Sequence, residues 1–170
     1  MAVALLGALL VVASLQWAWR LYPPSARGLL LALVDSTWSL PNTVAGLLFM
    51  AFALARGNVV DRAFTRHRGI VGLRHGVIRG FATTIGPVQA GLSARVNRHE
   101  AVHVLQARLF GPLYLPLVLL NWAVATVLPY WLLYHDRAAE PINSVAAYFR
   151  HGVYPHTWHE EWAYRRCSRD

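Results

Sequence analysis

Three long apolar stretches set the pattern of this chain, and a polar, glycine-rich segment separates the second from the third. Residues 2–19 carry no charge and, at about 1.5 Å per residue, nearly cross a hydrocarbon core. Trp17, Trp19 and Tyr22 are placed to form an aromatic belt at its end, beside Arg20. Residues 29–55 are apolar again but interrupted by "DSTWSLPNT". Pro41 predicts a kink there, with Ser39 or Asn42 capping a new helix that runs from about residue 41 to 56. The third stretch, 113–134, carries Pro116, Asn121 and Pro129. Between them, short β-branched runs ("GIVGL", "GVIRGF", "TTIGPV") alternate with glycines. They predict two or three short strands, with His75-Gly76 as one candidate tight turn. Residues 95–110 read as a helix that Gly111-Pro112 ends.

This order predicts a mainly α membrane protein. It has two or three transmembrane or re-entrant helices, a small β-hairpin or sheet, and one helix with a polar face. Residues 1–56 read as membrane anchor helices and 57–170 as a region that carries the chemistry and encloses the apolar segment 113–134. No positive segment precedes Arg20, so the first stretch reads as a retained anchor, not a cleaved signal. Asp35 is costly at membrane depth; the reading is that it caps a helix or bonds Thr37 near an interface.

Composition supports the membrane assignment. Hydrophobic residues make up 56% and charged residues 14%, against about a quarter charged in soluble domains. At 170 residues the chain suits one compact domain. The net charge is +8 and every basic residue is Arg. These arginines flank apolar segments, where they meet anionic head groups and set topology. That partner, the lipid bilayer, is preferred to nucleic acid. The single Cys167 excludes an internal disulfide and a Cys-rich zinc site.

The chemistry concentrates in "NRHEAVHVLQARLFGP", residues 97–112. On a helix His99 and His103 project from one face, spaced to share one zinc ion (Zn2+). Glu100, next to the first, can act on water there without ligating the metal. Gln106 continues the histidine face, while Val102, Leu105 and Leu109 form an apolar one. With eight His and four Glu in the chain, a chance match is on the order of one per cent. Catalytic zinc usually takes a third protein ligand. The downstream candidates are His135, Glu140, His151, His156, His159, Glu160 and Glu161, densest in "HTWHEEWAYRR".

"HEAVHVLQARLFGP" followed by "EEWAY" resembles the HExxH-plus-glutamate, or gluzincin-type, zinc metallopeptidases. It is closer still to small bacterial membrane proteins with HExxHxxQ and a Glu three residues before Ala-Tyr. The resemblance implies a zincin-like HExxH helix with His99, His103 and Glu160 as metal ligands and Glu100 as general base. Glu161 and His159 remain alternatives for the third ligand. It also implies that "FATTIGPV" supplies the edge strand along an extended substrate, with Thr83, Thr84, Ile85 and Gly86 as the binding positions. Tyr164 is a candidate for stabilising the oxyanion.

One conflict follows. His99 and Glu160 flank the third apolar stretch, so a single crossing would put them on opposite sides of a membrane. Nine arginines in 56–108 and five after residue 134 both favour the cytoplasmic side. The first two stretches are therefore expected to span and the third to lie at the interface or re-enter. The resulting expectation is a metallopeptidase of the bacterial inner membrane, its site near the cytoplasmic face, acting on a peptide or protein substrate. The alternatives are a non-catalytic zinc- or partner-binding membrane protein, and a zinc hydrolase of lipid or cell-wall amides.

Overall fold

The computed structural model describes residues 2–78 and 81–168, with the side chains at 2–6, 8, 9, 17 and 95 outside the description. The belt position of Trp17 and the Arg79-Gly80 part of the "GVIRGF" run therefore lie outside the described residues. The fold is mainly helical with one three-stranded sheet. It divides into two units, Met1–Pro112 and Leu113–Asp170.

In the first unit α1 (Ala2–Trp19) coincides with the first apolar stretch. Tyr22-Pro23-Pro24 stops it, because proline can neither donate to a helix nor fit inside one. Ser25 then caps α2 (Ala26–Ser36), its Oγ accepting from the Gly28 amide at 3.3 Å. The chain turns by 85° into α3 (Leu40–Ala55). Pro41 sits in the first turn of α3, where its missing N–H is not needed. Ser39 occupies the capping position but makes no side-chain cap bond, because its hydroxyl is used elsewhere. Asp61 caps the short α4 (Arg62–Thr65) through the Phe64 amide.

The strands are β1 (Val71–Leu73), β2 (Thr83–Ile85) and β3 (Val88–Ala90), in the order β1-β3-β2. β2 and β3 form an antiparallel hairpin closed by Gly86-Pro87, and β1 runs parallel to β3. The loop needs glycine first. Gly86 has φ of 52°, and a Cβ there would lie 2.1 Å from the Asn42 carbonyl oxygen. A positive φ followed by the fixed φ of proline matches a type II′ turn. The "GVIRGF" run forms no strand among its described residues, and His75-Gly76 does not close a hairpin. Asn58 instead pins the His75 backbone through two hydrogen bonds. Leu21, Val71, Leu73, Val88 and Ala90 lie at the centre of this unit's core. Fully burying a side chain such as Leu73 stabilises by about 1.5–3 kcal/mol.

Ser93 caps α5 (Ala94–Phe110), accepting from the Val96 amide at 3.3 Å, and Gly111 ends it with φ of 53°. In the second unit α6 (Tyr114–Val127) follows a single 3-10 turn. The break expected within the third apolar stretch is absent over Tyr114–Val127. Helix runs from Val96 to Val127, 32 residues, and among the described residues it is the one helix long and apolar enough to cross a membrane. The bent pair α2 and α3 would count only if taken together as one broken span. The prolines do not break α6 because Pro116 lies in its first turn and Pro129 beyond its end. Only 17% of the most apolar window of that long helix is buried within the protein, unlike the core helix of a soluble domain. Leu119, Leu120, Val127 and Leu128 all face outward.

After Pro129 a 3-10 turn (Tyr130–Leu133) buries Trp131 completely. Trp131 donates to the Ala125 carbonyl at 2.9 Å and covers Gly152, where a Cβ would lie 2.2 Å from the indole ring. A short α7 (Val145–Ala147), a turn of π-helix (Tyr148–Val153) and a 3-10 turn (Tyr154–His156) lead to α8 (Trp158–Cys167).

Candidate metal centre

The sheet sets the position of α5. Gln89 on β3 is fully buried and donates through Nε2 to Asn97 Oδ1 at 2.8 Å. Asn97 also accepts from the Ser93 amide at 3.1 Å. This polar link fixes α5 at its first turn, two residues before His99. Thr84 lies opposite Gln89 on β2, so the edge strand, the hairpin and the helix are tied in one register.

Beyond it, His99 and His103 are 9% and 6% exposed. Their Nε2 atoms face each other at 3.2 Å, with the rings at 76°. Two ligands of a tetrahedral zinc at ordinary Zn–N distances stand about 3.3 Å apart, so the pair already has that spacing. His103 Nδ1 is 3.0 Å from Gln106 Oε1, a carbonyl oxygen that can only accept. Glu100 is buried at 5% exposure. Charge placed this deep requires partners or a cation.

On α8, Glu160 and Glu161 both occupy the first turn, where the helix dipole favours negative charge. Their fates differ. Glu161 is partly exposed and pairs with Arg165 at 2.7 Å, whereas Glu160 is 5% exposed. The backbone start of α8 is held by Asn121, whose Oδ1 accepts from the Trp158 amide at 2.9 Å while its Nδ2 donates to the Tyr130 hydroxyl at 3.3 Å. Among the described residues, His99, His103 and Glu160 form a group whose ligand atoms lie within 4.8 Å of one another. That group can hold a metal ion, and its two imidazoles and one carboxylate suit zinc chemistry.

The other candidates for the third ligand are not in this group. His159 is buried beside Glu160, its Nε2 3.8 Å from Oε1. His135 and His156 pack with Trp131 instead. His135 donates to the Glu140 carbonyl and His156 to the Gly152 carbonyl. Tyr164 is 46% exposed on α8. Thr83, Thr84 and Ile85 form the outer strand of the sheet, and Gly86 begins its hairpin loop.

Two arrangements were not read from the sequence. Asp35 does not bond Thr37, whose hydroxyl goes to the Leu33 carbonyl. Its carboxylate accepts from Arg108 Nε at 2.8 Å, from Arg108 Nη2 at 2.6 Å and from the Tyr22 hydroxyl at 2.9 Å. Burial, and then the charge of Asp35, raise the Tyr22 pKa well above its ordinary value. The elbow between α2 and α3 also captures the end of α5. Ser39 Oγ and Asn42 Nδ2 both donate to the Ala107 carbonyl at 3.1 Å, Asn42 also reaches the Gly111 carbonyl at 2.7 Å, and Trp38 Nε1 reaches that of Leu109. These carbonyls lie in the last turn of the helix and just beyond it; that of Ala107 also accepts the Gly111 amide. The one signal in the sequence was the cost of Asp35 and Asn42 within an apolar stretch. Comparison with protein-family models, curated proteins and solved structures finds no match.

Proposed function

We propose that this chain is a membrane-associated zinc metallopeptidase. The observation that carries the reading is the grouping of Glu160 with His99 and His103, two histidines of an HExxH helix whose Glu100 is buried. When bound, zinc supplies Lewis acidity, which polarises a carbonyl and brings the pKa of water toward neutrality. Glu100 accepts the proton of the attacking water at its carboxylate and returns it to the leaving amine nitrogen. The peptide lies extended along the outer edge of β2, where Thr83, Thr84 and Ile85 offer backbone hydrogen bonds. Tyr164 is assigned the oxyanion, one turn of α8 beyond Glu160. The outward apolar face of α6 is assigned to the bilayer, with the arginine-rich segment on the cytoplasmic side of a bacterial inner membrane.

The test is metal content and turnover on the purified full chain. Wild type is expected to hold about one zinc, His103→Ala to lose it, and Glu100→Gln to keep it while losing peptide cleavage. A protein whose stability does not respond to zinc sinks the metal-centre reading. A Glu100→Gln variant that still cleaves sinks the general-base role. Zinc retention without any turnover by wild type would favour the non-catalytic binding alternative.

A further inference from the structure

We infer that Gln106 is the positioning residue of this centre: its amide oxygen dictates which nitrogen of His103 faces the metal. The inference rests on the metal-centre reading above. Gln106 stands one turn after His103 and is fully buried. Its Oε1 lies 3.0 Å from His103 Nδ1. A carbonyl oxygen accepts and cannot donate, so Nδ1 carries the ring proton and Nε2 is left with a bare lone pair. That lone pair is the one aimed at His99 Nε2 across 3.2 Å. With the other tautomer, a proton would occupy the space a cation needs.

The choice of an amide has a chemical consequence. A carboxylate at this position would push more electron density into the imidazole and make it a stronger donor to the metal. Glutamine orients the ring to the same degree without adding charge. The position is therefore built for orientation, and it leaves the ion more electrophilic than a Glu at the same place would.

The experiment uses the full-length chain in detergent micelles. Zinc and cobalt(II) affinities are measured by chelator competition, and the imidazole tautomers of the metal-free protein by 15N NMR. Gln106→Leu is expected to bind 10- to 100-fold more weakly and to show His103 as a mixture of tautomers. Gln106→Glu keeps the acceptor and is expected to bind at least as tightly as wild type, with the proton on Nδ1. Wild-type affinity in the Leu variant overturns the inference, as does a Glu variant as weak as the Leu variant. If the Leu variant does not fold, the wild-type spectrum decides: a proton on His103 Nε2 overturns it. Failure of wild type to take up either metal instead removes the metal-centre reading, and the NMR arm still decides whether Gln106 sets the tautomer.

Discussion

Replacing Asp35 with Asn tests how the first unit holds α5. The exchange preserves shape and removes one charge. Arg108 on α5 then keeps a guanidinium whose side chain is 11% exposed, opposite a position that is 1% exposed. It loses the charge and one acceptor of a two-point contact at 2.8 and 2.6 Å and retains one neutral bond to the Asn oxygen and the Gly69 carbonyl, 2.5 Å from Nη2. Breaking a buried pair by removing one partner costs about 3–5 kcal/mol. The residual exposure and the Gly69 contact place this case near the low end, about 3 kcal/mol. For a unit of this size that is on the order of 10 °C in the unfolding midpoint. The assay is thermal or denaturant unfolding in micelles, followed by circular dichroism. The companion variant is Asp35→Leu with Arg108→Met, which removes both charges. It removes one hydrogen bond each from the Tyr22 hydroxyl and the Gly69 carbonyl, a net cost of about 1 kcal/mol apiece, but strands no ion. It should therefore be more stable than Asp35→Asn alone. A single variant within 1 kcal/mol of wild type, or a double variant less stable than the single, would refute the reasoning.

Tyr22 gives a pH signature. Its folded-state pKa is raised by burial and by Asp35, so the contribution is complete below the unfolded value of about 10 and is lost as pH rises above it. Wild type should lose up to about 1.4 kcal/mol per pH unit more than Tyr22→Phe above pH 10; parallel unfolding curves would contradict this. Glu160→Ala should abolish tight zinc binding in a competition titration, whereas Glu161→Ala, which breaks only an exposed pair with Arg165, should leave it within twofold. The reverse order would reassign the third ligand.

Features encoded by neighbouring residues were legible in the sequence. The limits of α1 and the stop at Gly111 depend on local sterics and caps, and the structure has them; the β2–β3 turn at Gly86-Pro87 instead divides "TTIGPV", which reads in the sequence as one strand. The spacing of His99 and His103 is likewise a property of one helix. What was not legible depends on partners far along the chain. Asp35 and Arg108 are separated by 73 positions, and nothing near either names the other. The parallel pairing of β1 with β3 skips the intervening strand, so no turn announces it. Pro116 and Pro129 suggest a broken third stretch, but they lie in the first turn of α6 and beyond its end, where proline does not interrupt helical hydrogen bonding.

Asn121 carries a consequence for biosynthesis. Its carbonyl oxygen is reserved for the Trp158 amide, 37 residues downstream. At about 5–20 residues per second, a ribosome takes roughly 2–7 seconds to make that partner after Asn121 itself. Throughout that interval the Asn121 amide oxygen lacks the donor it has in the folded chain. A chain that ends before Trp158 therefore carries a polar amide in an apolar helix without the backbone donor that the complete fold supplies.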